Sequence, residues 1–269
     1  MVVGLIGAGN MAGALARGWA SHEAGPDQVV VSDVDTERAK ALASAIGGRQ
    51  AKDNRELAEQ SGVIVLAMKP GALAPVAEDI RATVAERELP VVSILGATTT
   101  RGIEEAFGPG TPVLRFMPNV AAEVGHGTFC HASNGQLGGR AEQDLLDLFG
   151  LLGELVPVEE RLMEAATALS GCGPAFFALV VEALTDAGVR EGLPAPTAER
   201  LAVTTMQGTA ELLRERGGDP VSVRRAVTSP GGVTAAGVAA LEQHGVRAAF
   251  GDAVRAVVVK AEAATKGKS

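Results

Sequence analysis

Aromatic side chains are nearly missing from this 269-residue chain, which has one Trp, seven Phe and no Tyr, 3% in all. Without stacking residues there is no platform for single-stranded nucleic acid and little to grip a sugar. A core built mainly from small aliphatics is expected. Positive charge is scarce too: 24 Lys and Arg stand against 32 Asp and Glu, a formal net charge of −8. Up to Val158 there are 12 basic against 19 acidic residues, and after it 12 against 13. Neither half has the basic face that a phosphate backbone requires, so nucleic acid is not an expected partner. Two cysteines, Cys130 and Cys172, are too few for a disulfide framework and have no paired metal-ligand spacing, which suggests a reducing, cytoplasmic setting. His22, His126, His131 and His244 also lack metal spacing, and no metal is expected. No apolar run reads as long enough to span a bilayer. The apolar start Met1 to Ile6 has no basic leader and runs directly into glycines, as a strand does and a signal peptide does not.

Apolar material is plentiful, at 46% hydrophobic against 21% charged residues, so a sizeable core can form. At roughly 150 residues per domain, the length points to two compact units. Up to Val158, short β-branched runs alternate with amphipathic stretches, the pattern of βαβ units on a mostly parallel sheet. Strands are expected at Val2–Ile6, Val29–Ser32, Val63–Ala67, Pro90–Leu95, Pro112–Phe116, Phe129–Ala132 and Glu154–Val158, the first five apolar on both faces as buried parallel strands are. Helix-length segments alone follow, so residues 159–269 read as an all-α domain after a dinucleotide-binding domain at 1–158. Ala175–Leu184 is apolar around most of its circumference, more than a small module buries alone, and self-association through this half, at least a homodimer, is expected.

Gly7-Ala8-Gly9-Asn10-Met11-Ala12 follows the first strand and opens the first helix. Gly7 permits the tight turn, Gly9 lets backbone approach a pyrophosphate, and Ala12 is small enough for helix–strand contact. The N–H groups and dipole of the helix start then form an anion seat. Asp33 ends the second strand, where a carboxylate accepts the hydroxyl hydrogens of an adenosine ribose. An added 2′-phosphate would meet that carboxylate, and Val34 beside it has no compensating charge, so NADH is favoured over NADPH. Arg38, one turn into the next helix, weakens this inference because it can swing toward a phosphate. The alternative for Asp33 is an ordinary turn or helix-capping role. Met68-Lys69-Pro70 and Met117-Pro118-Asn119 sit at carboxyl ends of strands, where open α/β sheets bind ligands, so Lys69 and Asn119 are candidate contacts.

Two glycine-bearing turns, Ser170-Gly171-Cys172-Gly173-Pro174 and Ser229-Pro230-Gly231-Gly232-Val233-Thr234, interrupt the helical half. Each ends where a helix starts. The paired Gly231 and Gly232 suggest a backbone that must approach a ligand closely.

With these blocks the chain resembles the Δ1-pyrroline-5-carboxylate reductases, through Gly7–Met11, Met68–Pro70, Met117–Asn119, Ser170–Phe176, Glu182–Gly188, Thr228–Thr234 and Leu241-Glu242. The blocks from Ser170 onward are specific to that family. The resemblance implies a Rossmann-like N-terminal α/β domain, an all-α dimerisation domain, and a substrate pocket at the dimer interface. It also implies an NAD(P)H-dependent reductase that converts 1-pyrroline-5-carboxylate to L-proline in proline biosynthesis. Cofactor contacts fall on Gly7, Ala8, Gly9, Asn10, Met11, Asp33, Met68, Lys69, Pro70 and Asn119. Substrate contacts fall on Cys172, Ser229, Gly231, Gly232, Val233 and Thr234. Cys172 stands where the family has Ser and Phe176 where it has Tyr, and Asp33-Val34 replaces the polar-Arg pair of many NADP-using members.

A protonated cyclic imine is already an electrophile, so orientation should dominate catalysis and little acid–base machinery is required. The N–H groups of Ser229 to Thr234 would hold the substrate carboxylate, with the Thr234 hydroxyl at the ring nitrogen as the catalytic contact. A β-hydroxyacid dehydrogenase, the nearest enzymatic rival, needs a Lys early in the helical half, and Glu159 to Leu193 contains none. A non-catalytic dinucleotide sensor is the rival from another class.

Overall fold

The computed structural model describes residues 1–266. They form two compact units, residues 1–172 with 258–266, and residues 173–257.

The first unit is an eight-stranded sheet between helices. Its strands are β1 (Val2–Ile6), β2 (Gln28–Ser32), β3 (Arg49–Gln50), β4 (Val63–Leu66), β5 (Val91–Ser93), β6 (Val113–Met117), β7 (Gly127–Ser133) and β8 (Gly153–Pro157). They lie in the order β3-β2-β1-β4-β5-β6-β7-β8. Only the β6–β7 pair is antiparallel. Alternation along the strands divides the apolar residues between two faces. Val3, Leu5, Val29, Val31, Val63 and Val65 pack with α1 (Asn10–Ala20), α2 (Thr36–Ala45) and α6 (Gly139–Gly150). Ile6, Val30, Ile64 and Leu66 pack with α3 (Asn54–Gln60), α4 (Leu73–Glu86) and α5 (Thr100–Phe107). Parallel strands covered on both faces read as continuous apolar runs, which is why they are legible from sequence. The exception is β3, a two-residue edge strand without an apolar run of its own.

The expectation of an almost purely aliphatic core needs one correction. Four of the eight aromatics gather in a single cluster, with Phe116 stacked on Phe149 at 4.0 Å between ring centroids. Trp19 and Phe129 meet Phe149 edge-on. The Trp19 indole N–H donates to the Leu148 carbonyl at 3.0 Å, satisfying its polar atom inside the core.

α7 (Met163–Ser170) belongs with this sheet, so the compact units divide one helix later than Val158. Met163 packs against Met117, Cys130 and Ala132. Arg115, fully buried on β6, donates to Glu160 at 2.6 Å and reaches Glu164 at 3.5 Å.

The second unit contains α8 (Gly173–Arg190), α9 (Ala195–Glu215), α10 (Pro220–Ala226), α11 (Val233–Gln243) and the first part of α12 (Val246–Lys266). α8 approaches α9 closely at Gly188, where a Cβ would stand 3.2 Å from Ala198. Few of its side chains are buried, and Phe177, Leu179, Leu184 and Leu201 are each more than half exposed. One stretch, residues 160–190, is long and apolar enough to cross a membrane by length and composition, contrary to the sequence expectation. Along the chain it comprises a short 3-10 turn, α7 and α8.

Candidate functional site

The β1–α1 connection makes the first anion seat. Gly7 has φ +104°, and a Cβ there would strike the Ala67 and Met68 backbone at 2.7 Å, so no other residue fits. This contact brings the glycine turn against Met68-Lys69-Pro70 at the end of β4, and the strand order reverses between β1 and β4. Ligands bind at that switch point in open α/β sheets. Gly9 is the N-cap of α1, with no side-chain cap. No heavy atom comes within 4 Å of a Cβ built on Gly9. The first-turn N–H groups of Asn10 and Met11 have no intrahelical acceptor, and a diphosphate suits the seat.

Ala8 departs from its expected role. Its N–H donates to Asp33 Oδ2 at 2.7 Å and is not free for phosphate. Asp33 Oδ1 meanwhile accepts the Asp35 N–H at 2.8 Å. Two backbone bonds thus fix the carboxylate beside the glycine turn, with lone pairs remaining on both oxygens. Asp35, not Asp33, caps α2. Lys69 is exposed, and its ammonium group has no hydrogen-bond or ion-pair partner among the described residues. Pro70 begins a short 3-10 turn behind it.

Asn119 is the second departure. Its Oδ1 accepts the Thr128 N–H and its Nδ2 donates to the Ser170 carbonyl, both at 3.1 Å. The side chain is buried. Its carboxamide braces β6, β7 and the end of α7, and so holds the start of the Ser170–Pro174 turn. Cys172 lies just past that brace, partly exposed, its N–H donated to the Thr167 carbonyl.

Two features escaped the sequence reading. Ala97, after β5, has φ +52°, a left-handed conformation that non-glycine residues hold only under constraint. A cleft of about 260 Å³ opens beside the glycine turn, lined by Gly9, Asn10, Gly13, Arg17, Arg38 and Leu42 among others. Arg17 had one sequence signal, its i+4 spacing from Gly13, which leaves its side chain room to fold back along the helix. His131 on β7 lies against Phe116, and burial pushes its imidazole pKa down, partly offset by Glu142.

The second unit holds the other anion seat. Ser229 to Gly232 form a tight turn, with Gly232 N–H donating to the Ser229 carbonyl at 3.0 Å. Gly231 takes φ +67°. A Cβ on Gly232 would stand 2.5 Å from Ser229 Oγ. The positive φ of Gly231 gives that glycine a role in the turn itself, while the contact at Gly232 is with a hydroxyl that can rotate aside. The Gly232 N–H is likewise spent. Beyond it α11 opens on Gly232 as N-cap without a side-chain cap. The first-turn N–H groups, including those of Val233 and Thr234, are left free, and both residues are exposed.

Family models match both parts of the chain. One for pyrroline-5-carboxylate reductase dimerisation covers residues 160–264, and one for coenzyme F420-dependent NADP oxidoreductases covers residues 2–96. A pyrroline-5-carboxylate reductase from Synechocystis is 41% identical over 255 residues, 94% of each chain. Among solved structures, a pyrroline-5-carboxylate reductase from Coxiella burnetii matches with a TM-score of 0.90 at 31% identity, over 97% of each chain. A Plasmodium falciparum pyrroline carboxylate reductase with NADP bound matches at 0.84 and 29%, over 98% of each.

Proposed function

This chain belongs to the pyrroline-5-carboxylate reductase family, and from that premise we propose how its residues divide the work. The protein is an NAD(P)H-dependent oxidoreductase acting on a C=N bond, reducing 1-pyrroline-5-carboxylate to L-proline. One observation carries the assignment of roles. Three helices, α1, α6 and α11, open on a glycine N-cap without a side-chain cap, and of these α1 and α11 follow the glycine-bearing turns Gly7–Gly9 and Ser229–Gly232. Two anions need holding in this reaction, a cofactor diphosphate and a substrate carboxylate, and each matches one helix start.

Bound dihydronicotinamide supplies the hydride for the imine carbon. The first turn of α1 holds the diphosphate, with Gly7 and Gly9 keeping the approach clear. Met68, Lys69 and Pro70 border that seat at the end of β4. The N–H groups of Val233 and Thr234 hold the substrate carboxylate, while Ser229, Gly231 and Gly232 shape the turn that presents them. The Thr234 hydroxyl meets the ring nitrogen. Thr234→Ala is expected to lower kcat by about a hundredfold, the low end of the range for a positioned proton donor or acceptor, with the KM for NADH within twofold. Unchanged turnover in a steady-state assay removes this role from Thr234.

Asp33 supports NADH as the preferred cofactor, because its fixed carboxylate repels a 2′-phosphate and Val34 is fully exposed without charge. Assayed in parallel with 1-pyrroline-5-carboxylate, NADH should show the higher kcat/KM. Asp33→Asn keeps an acceptor for the Ala8 N–H and removes the charge. It should shift the NADH-to-NADPH ratio about tenfold toward NADPH, equivalent to about 1.4 kcal/mol. A ratio that does not move assigns the discrimination elsewhere. If the parent binds NADH and turns over no pyrroline-5-carboxylate, the catalytic reading itself fails.

The exposed apolar side chains of α8 and α9 support a homodimer through the second unit. Two free cysteines agree with a cytoplasmic setting.

A further inference from the structure

We propose that Glu242 is a positioning residue for the substrate carboxylate, holding α11 at the angle that presents its first-turn N–H groups. The inference rests on the carboxylate seat proposed above and deepens it. Leu241-Glu242 lies at the opposite end of α11 from Val233, about 14 Å away at ~1.5 Å per helical residue. Among the described residues no side chain of α11 is buried. Glu242 is also the one α11 side chain among them with a hydrogen bond or ion pair to another element. Its two oxygens accept the Arg247 Nε–H at 2.8 and 2.9 Å, and Arg247 Nη2 stands 2.7 Å from Oε1. Arg224 Nη1 approaches the same oxygen at 3.6 Å. Arg224 belongs to α10 and Arg247 to α12, so one carboxylate joins three helices.

The chain between Arg224 and Glu242 leaves that angle adjustable. α10 ends at Ala226, and α11 begins only after Gly231 and Gly232, residues whose backbone has the widest conformational freedom. Arg224 holds the near side of the turn, where its carbonyl accepts the Thr228 hydroxyl at 2.7 Å and the Val227 N–H at 3.3 Å. Its guanidinium reaches the far end of α11. α10, the turn and α11 therefore form a loop that the Arg224–Glu242 contact closes. Val233 and Leu241, each more than half exposed, stay free for a second copy, so within one chain the ionic tie sets the direction of α11. An isolated exposed ion pair contributes little, but a carboxylate shared by two guanidinium groups is a small network. The hydrogen bond from Arg247, and then the charges of Arg247 and Arg224, hold the Glu242 carboxyl below the usual carboxylate range against partial desolvation. The tie is therefore charged at neutral pH.

The test compares Glu242→Gln, Arg224→Gln and the double variant in steady-state assays, with thermal unfolding and gel filtration of each. Either single change should raise the KM for 1-pyrroline-5-carboxylate about fivefold, the scale of a small network of exposed ion pairs, with kcat and the KM for NADH within about twofold of the parent. The double variant should be no worse than Glu242→Gln, because both changes remove one tie, and Arg224→Lys should keep most of the parental KM. Should Glu242→Gln not fold, Arg224→Gln carries the same comparison. A lowered melting temperature with an unchanged KM assigns Glu242 to stability alone and overturns the proposal. A raised KM with an altered oligomeric state overturns it too, as does a double variant whose losses multiply. Val233→Pro, which deletes one N–H at a position that tolerates proline, tests the seat itself. If that variant keeps the parental KM, the carboxylate is held elsewhere and the tie falls with the seat. If its KM rises and that of Glu242→Gln does not, the seat stands and only the tie fails.

Discussion

Gly7→Ala should lower the melting temperature by roughly 5–10 °C and weaken NADH binding at least tenfold, while Gly9→Ala should weaken binding with the melting temperature nearly unchanged. The two glycines lie two residues apart in one turn, and the difference comes from what surrounds each. At Gly7 the backbone has φ +104°, and a Cβ would meet the Ala67 carbonyl carbon and the Met68 nitrogen at 2.7 Å. Backbone cannot rotate aside as a side chain can. The strain of a left-handed residue, about 1–3 kcal/mol, adds to an overpacking cost of about 1–3 kcal/mol. Together these displace β1 from β4 at the point where the cofactor seat is built. At Gly9 nothing stands within 4 Å. An added methyl there is tolerated by the fold and fills space through which a diphosphate must reach the N–H groups of α1. Thermal unfolding and NADH titration of both variants check the pair. Equal melting temperatures would show that the Gly7 contact relaxes without cost, and unaltered binding in Gly9→Ala would remove close approach as the reason for that glycine.

Glu160→Ala carries the second large effect, an expected loss of about 3 kcal/mol. Arg115 is 1% exposed and depends on Glu160 at 2.6 Å, with Glu164 more distant at 3.5 Å. Its Nε already lacks a partner. Removing Glu160 leaves a buried guanidinium with one long contact, and desolvation is then uncompensated. The pair also ties α7 to the sheet, so its loss loosens the end of α7 that Asn119 braces. Arg115→Met in the Glu160→Ala background should recover much of the loss, because an apolar side chain of similar length requires no partner. Denaturant unfolding of the single and double variants measures both. A double variant no more stable than Glu160→Ala would show that packing, not the buried charge, sets the cost.

Much of the cofactor half is legible in the residues themselves. β1 has the expected bounds, Val2–Ile6, because an apolar run acts within a few positions of where it stands. The antiparallel setting of β7 between β6 and β8 has no such local sign, since strand direction depends on pairing partners far along the chain. The site divides in the same way. Gly7, Gly9 and Asp33 announce themselves by spacing, whereas the cleft beside Arg17 and Arg38 exists only once α1 and α2 pack side by side.

The sequence by itself determined the class of reaction, the α/β unit followed by helices, and the two helix starts proposed to receive anions, because these follow from short-range patterns and family-specific blocks. Only the tertiary structure decided which polar groups are already spent. The Ala8 N–H belongs to Asp33, both ends of the Asn119 carboxamide belong to Thr128 and Ser170, and the Gly232 N–H belongs to the Ser229 carbonyl. A backbone or side-chain polar group serves a ligand only if folding leaves it unpaired. That balance is set by contacts between residues as far as 51 positions apart, as in Asn119 and Ser170.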